Sequence, residues 1–263
     1  MLKHIESGGQ NPMTVPPGPH SVVSPGALTS AFTSSAGKLY LLYGGSGIFP
    51  LALTVAAGAM ADGTPIAVVD GGNRFDLHLL TRFARARKID PDAFLRRIFI
   101  SRGFTCYQME QALVARLPAF LPGIGARAAM VFGLLDTFYD EQASTREVQE
   151  ILRRVMAALR TMRENGFSVL IACTNVRVQQ QERNQLLARL KEGMDNVYRF
   201  ETDAAKSRSV LMLEQPAKRN GGARPTMPEG HRPRGVETGP SNKRDGQKPP
   251  AYRTPHPGDS PPR

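Results

Sequence analysis

The stretch Leu39–Asp70, LYLLYGGSGIFPLALTVAAGAMADGTPIAVVD, admits few folds. Leu39-Tyr40-Leu41-Leu42-Tyr43 is a short apolar run of strand-forming residues. Gly44-Gly45-Ser46-Gly47 breaks it, and Pro50 opens an apolar helical segment ending near Ala61. Asp62-Gly63 is a turn, and Ile66 to Val69 is a second, wholly apolar strand. A buried strand–helix–strand unit belongs to a parallel sheet covered by helices on both faces. Its glycine loop lies where backbone N–H groups and a helix N-terminus can cradle a phosphate.

The loop departs from each phosphate-binding pattern it approaches. Set against G-x-x-x-x-G-K-[ST] from Gly44, the second Gly is Phe49, the Lys is Pro50 and the Ser/Thr is Leu51. The groups that reach the β/γ-phosphates and hold Mg²⁺ are therefore missing, and Pro50 also removes a donor. Against the dinucleotide fingerprint, Gly45-x-Gly47-x-x-Pro50 lacks its third small residue, although Asp70 is suitably placed for a ribose. The plainer reading is a tight turn before a buried helix.

The alternation continues down the chain. Asp70-Gly71-Gly72-Asn73-Arg74-Phe75-Asp76 is a loop at the carboxyl end of a parallel strand, where open α/β sheets place their sites. Leu77–Lys88 reads as a basic helix, with Leu79, Leu80, Phe83 and Ala84 on one face and Arg82, Arg85 and Arg87 largely elsewhere. A third strand covers Arg97–Arg102, followed by a helix over Gln108–Arg116 and a loop bounded by Pro118 and Pro122. Ala128–Leu135 is a fourth strand, with the acidic, aromatic loop Asp136-Thr137-Phe138-Tyr139-Asp140-Glu141 at its carboxyl end. Thr145–Asn165 is a long amphipathic helix closed by Gly166. Phe167–Ala172 is a fifth strand, closing with Cys173-Thr174-Asn175. Val178–Gly193 is polar and helical, and Asn196–Glu201 with Ser209–Glu214 reads as a hairpin. The expected domains are a flexible arm over residues 1–37, carrying a short helix near Gly26–Phe32 that packs on the core, then a core over 38–215 and a disordered tail over 216–263.

Charge is uneven along the 263 residues. The net charge is +11, and residues 216–263 hold ten bases against four acids, so six of the eleven excess charges lie in that segment. About a quarter of the segment is Pro, too little apolar material to fold alone. A polyanion is the natural partner, nucleic acid first and DNA before RNA. The contacts would be Arg82, Arg85, Arg87, Lys218, Arg219, Arg224, Arg232, Arg234, Lys243 and Arg244. The plain alternatives are a solvated helix face and a solubilising tail. Cys106 and Cys173 have neither metal-ligand spacing nor a disulfide framework and fit a reduced, cytoplasmic setting. The longest uncharged apolar run, residues 48–61, is too short to span a bilayer, so no membrane partner is expected.

The ordered series of strand, glycine loop, helix, VVDGGNRFD, RIFISRGFTCYQMEQAL, a strand before FYDE, a long helix, SVLIACTN and a closing hairpin resembles the ATPase core of RecA-like recombinases. The likeness is above all to the archaeal and eukaryotic strand-exchange proteins and their paralogues, and it covers roughly residues 38–214. It implies a RecA-like, P-loop-type three-layer core with a mostly parallel central sheet and a C-terminal hairpin. The family's functional positions carry over badly. Its Walker A Lys and Thr fall on Pro50 and Leu51, and its catalytic Glu falls on Gly72 or Asn73. Its Walker B Asp falls on Gly133, or on Asp136 if the strand runs three residues longer, and its γ-phosphate-sensing Gln falls on Val176.

The resemblance thus implies a paralogue that has lost hydrolysis: a DNA-binding or recombination and repair accessory protein, paired with another RecA-like protein or with itself. If ATP and Mg²⁺ are retained, Gly44, Gly45, Ser46, Gly47, Asp70, Asn73, Asp136, Thr174 and Asn175 would hold the nucleotide, and Asp136 and Asp140 the metal. The alternative is an active ATPase in which Arg74 or Arg102 replaces the Lys. A nicotinamide oxidoreductase lacks its chemistry, since no Tyr-x-x-x-Lys pair occurs.

Overall fold

The structure is a computed structural model that describes residues 21–34, 37–139, 143–176, 178, 181–203 and 208–215. The expected tail over 216–263 lies outside the described residues. So do residues 1–20 of the expected arm.

The apolar runs become strands and the amphipathic ones helices. Strands β1 (Ser21–Val23), β2 (Leu39–Gly44), β3 (Ile66–Asp70), β4 (Ile98–Arg102), β5 (Ala128–Phe132), β6 (Ser168–Thr174), β7 (Asn196–Asp203) and β8 (Arg208–Gln215) form one sheet. Their order is β1-β8-β7-β2-β6-β5-β3-β4. From β7 to β4 every pairing is parallel, and β8 and β1 add antiparallel edges. The chain is therefore α/β with a mostly parallel, eight-stranded mixed sheet.

Alternation along β2 sorts the core. Leu39, Leu41 and Tyr43 face one side, where α5 (Cys106–Gln111), α6 (Leu117–Gly123), α8 (Thr145–Glu164) and α9 (Gln185–Glu192) pack. Tyr40 and Leu42 face the other, against α1 (Pro25–Ser34), α2 (Ile48–Ala61), α3 (Leu77–Ala86) and α4 (Pro91–Leu95). Both faces are covered, which is why the central strands are apolar throughout rather than alternating with polar residues.

Local chemistry sets the helix ends. Asp76 caps α3 and Thr105 caps α5. Ser144 and Glu147 form a capping box at α8, which gives way at Gly166, φ 83°. Pro50 falls in the first turn of α2, where its missing N–H costs no helix bond. No helix among the described residues is long and apolar enough to cross a membrane.

Several expectations are corrected. The short helix expected near Gly26–Phe32 to pack on the core is α1, with Leu28 and Phe32 buried, but it is longer than expected and the strand β1 before it is unexpected. A three-residue strand after a Pro-rich run has too little pattern to read, and its pairing with β8 is non-local. Pro118 and Pro122 do not bound a loop. The helix runs on from α5 through a π turn, Ala112–Arg116, into α6. The wide turn just before Pro118 relieves the clash of its ring with the preceding carbonyls. The fourth strand stops at Phe132, not Leu135, because Gly133 turns left-handed (φ 62°) and Leu134–Phe138 forms a short helix, α7.

Candidate functional site at the carboxyl edge

The parallel strands end on one edge, and their loops meet there. Gly44, the last residue of β2, pairs with Thr174 on β6 and Phe200 on β7. The Asn175 N–H donates to the Gly44 carbonyl at 2.9 Å. On the far side of β6, the Gly133 N–H donates to the Ala172 carbonyl at 3.0 Å, and the Gly71 N–H to the Phe132 carbonyl at 2.7 Å. The loops after β2, β3, β5 and β6 are therefore laced together by main-chain bonds.

Side chains complete the arrangement. The Thr174 hydroxyl donates to Asp136 Oδ1 at 2.9 Å, and Arg74 Nη2 donates to Asp136 Oδ2 at 3.1 Å. The Arg74 guanidinium also lies over the Phe49 ring, 5.0 Å from its centroid, and Phe49 meets Phe132 edge-on at 6.0 Å. Thr174, Asp136, Arg74 and Phe49 thus form one line across the edge, from β6 to the first turn of α2. Gly72 lies directly beneath it. A Cβ there would come within 2.8 Å of Asp136 Oδ2 and 3.0 Å of Arg74 Nε, so a Glu at position 72 has no room while this pair is made.

The glycine loop is a tight turn. Ile48 N–H donates to the Gly45 carbonyl at 3.1 Å and Phe49 N–H to the Ser46 carbonyl at 3.4 Å, so two early donors of α2 are used within the loop. Phe200 closes its open side. A Cβ at Gly47 would stand 2.6 Å from Phe200 Cε1, and one at Gly44 (φ 148°) would run into the Phe200 carbonyl oxygen. The Phe200 backbone demands glycine at 44 and the Phe200 ring crowds position 47, whereas a Cβ at Gly45 would meet open space.

Asp70 is likewise turned inward. It is buried, and its carboxylate accepts the N–H groups of Gly72 (3.3 Å), Arg74 (2.9 Å) and Phe75 (3.1 Å) from its own loop. It shapes the loop that presents Arg74, with Asn73 left-handed at φ 53°. The carboxylate suggested for a ribose is thus engaged by its own loop.

For Mg²⁺ the fit is poor. Asp136 already has a cation in Arg74, Asp140 lies outside the described residues, and among the described residues no group of three His, Cys, Asp or Glu could hold a metal. Arg82, Arg85 and Arg87 are exposed, with the Arg87 guanidinium 4.0 Å over the Phe83 ring, but they are not at this edge. Helix α3 starts there and leads back toward the amino ends of the strands, where β4 begins. Lys218, Arg219, Arg224, Arg232, Arg234, Lys243 and Arg244 lie outside the described residues.

Sequence reasoning missed Phe200 and a polar cluster behind the loop. The Tyr43 hydroxyl donates to Glu214 Oε1 at 2.7 Å, Lys191 Nζ reaches Glu214 Oε2 at 3.2 Å, and Lys191 lies 3.7 Å over the Tyr43 ring. Burial and the Glu214 carboxylate push the Tyr43 phenol up. Burial opposes ionisation of Glu214, yet the hydrogen bonds from Tyr43 and Lys191 and the nearby cations hold its carboxyl below the usual carboxylate range. These residues are dispersed over β2, α9 and β8, so no local pattern signals them. No family model matches the sequence, and no curated protein matches it.

Proposed function

We propose that this chain is a RecA-like paralogue whose nucleotide site has closed on itself, acting as a DNA-binding accessory of recombination or repair without ATP hydrolysis. The observation that carries the reading is Arg74, held between the Phe49 ring and Asp136 on the edge where the glycine loop and the Thr174-Asn175 strand end meet. The alternation of parallel strands and helices from β2 to β7 supports it. The Lys, Thr and Glu that ATP hydrolysis would need fall on Pro50, Leu51 and Gly72 or Asn73, and Arg74 pairs with Asp136 beside the Phe49 ring. The net charge of +11 supports the nucleic-acid part.

The partner part draws support from the β4 edge of the sheet. β4 is an edge strand, and with the helical segment from Ala112 to Phe120 it borders an apolar groove of about 710 Å³ whose one charged lining residue is Arg116. A further RecA-like protein or a second copy could add a strand at such an edge.

Purified protein should show no ATP turnover above background while binding single- or double-stranded DNA in a salt-sensitive manner. Turnover that disappears in Asp136→Asn would replace this reading with that of an ATPase using unorthodox residues.

A further inference from the structure

Before residue 216 the excess positive charge sits almost entirely in one segment. Residues 1–215 hold 24 bases and 19 acids, and residues 77–97 alone hold six bases and two acids. Four of those five excess charges therefore lie in α3, α4 and the turns that follow them. Arg82, Arg85, Lys88 and Arg96 are exposed. Among the described residues, none of the four has an ion-pair partner or a side-chain hydrogen bond. The other two bases are occupied: the Arg87 guanidinium lies 4.0 Å over the Phe83 ring, and Arg97 Nη1 donates to the Met60 carbonyl at 2.7 Å. Of the two acids, Asp90 accepts the N–H groups of Asp92 at 3.4 Å and Ala93 at 3.1 Å as the cap of α4, and Asp92 lies in that helix's first turn.

The corner that carries the four cations is held in place. Asp76 caps α3, Lys88 turns left-handed (φ 58°) with its N–H on the Arg85 carbonyl at 3.0 Å, and Phe83 stacks on Phe94 at 5.9 Å. Leu80 and Ala84 are buried in the same layer as α2, which spends the apolar face that a membrane-surface helix would need. Phe83 is covered by Arg87 and Phe94 is buried, so neither phenyl ring of the segment is free to stack on a base. What remains is fixed positive charge. Arg82 and Arg85 stand about 4.5 Å apart along the helix axis, and each strand of a duplex presents a phosphate about every 3.4 Å of its own axis.

Resting on the nucleic-acid reading above, we propose that the α3–α4 corner is a docking surface for duplex DNA, holding the phosphate backbone through Arg82, Arg85, Lys88 and Arg96 without reading bases. α4 leads into the amino end of β4, so the corner stands away from the carboxyl edge, and the contact needs neither the glycine loop nor Asp136.

The test is fluorescence anisotropy of the full chain with a mixed-sequence duplex of about 20 base pairs, titrated with salt. The corner variant carries Arg82→Gln, Arg85→Gln, Lys88→Gln and Arg96→Gln. A control with Arg127→Gln, Arg146→Gln, Arg160→Gln and Arg189→Gln removes the same charge from exposed positions elsewhere. The corner variant should bind about tenfold more weakly near 100 mM salt, and its slope of log K against log salt should fall by about 3, at about 0.9 per lost contact. The control should keep the parent's slope. Arg82→Gln and Arg96→Gln alone should each lower the slope by about 0.9, which keeps the test decisive if the fourfold variant melts early. Arg82→Lys with Arg85→Lys and Arg96→Lys should retain the parent's slope, since a point charge serves a phosphate. Equal loss in corner and control variants, or no loss in the corner variant, would overturn the surface and leave the nucleic-acid reading standing. A loss seen with phosphatidylserine vesicles and not with the duplex would overturn it likewise. Absence of binding by the parent to duplex and single strand alike would overturn the nucleic-acid reading itself, and the surface with it.

Discussion

Single residues at the carboxyl edge act by excluding alternatives. Gly44 combines a φ of 148° with a Cβ position occupied by the Phe200 carbonyl, so a side chain there must both strain the backbone and break the β2–β7 pairing. Gly44→Ala should destabilise the fold by about 2–3 kcal/mol, read as a lowered denaturation midpoint. An unchanged midpoint would mean that the loop is slack rather than packed. Glu214 makes a pH prediction. Its folded carboxyl binds a proton more weakly than the unfolded one, so its contribution to stability is full above the unfolded value of about 4.3 and fades as pH falls below it. The parent should therefore lose more stability between about pH 5 and pH 3 than Glu214→Gln does. Parallel loss in both proteins would show that the Tyr43–Glu214–Lys191 cluster contributes nothing in acid.

At the level of elements, the clearest sequence signals are the ones with physical redundancy. Helix α8 has a capping box, a full apolar face from Val148 to Met162 and a glycine stop, and its expected bounds hold to within a residue. Ser144→Ala should cost about 1 kcal/mol, measured by chemical denaturation, because the Glu147 N–H loses its acceptor and the Glu147 carboxylate loses the Ser144 hydroxyl. The central strands are legible for the same reason: β2, β3 and β5 lie between two helical layers and need apolar residues on both faces. β1, the π turn and α7 are not legible: β1 depends on a distant partner, the π turn on how a continuing helix accommodates Pro118, and α7 on one glycine's φ. The candidate site divides likewise. That Gly44, Asp70, Asp136 and Thr174 share an edge follows from their all standing at or just beyond the carboxyl ends of parallel strands. That Asp70 turns inward, that Arg74 meets Asp136 and that Phe200 covers Gly47 depend on side-chain directions that spacing does not carry.

Across the whole molecule, charge and shape are unevenly divided, and nucleic-acid binding should divide with them. Among the described residues of the carboxyl edge, Asp70 is held by its own loop, Asp76 by α3, and Asp136 by Arg74 and Thr174. Free cations on the folded part include Arg82 and Arg85, which stand exposed on α3. The larger excess lies in residues 216–263, ten bases against four acids with Tyr252 as the single aromatic. Dispersed bases without stacking rings give contacts to phosphate and not to bases, and each neutralised phosphate releases a counterion. Truncation after Gln215 should therefore weaken binding to all sequences by a similar factor and reduce the slope of log K against log salt by several units, at about 0.9 per lost phosphate contact. The truncated chain should retain a weaker affinity, lowered further by Arg82→Ala with Arg85→Ala. Salt titrations of the full and truncated chains decide the matter. Equal slopes would assign residues 216–263 to solubility or linkage, and would leave the folded domain as the source of whatever nucleic-acid affinity the protein has.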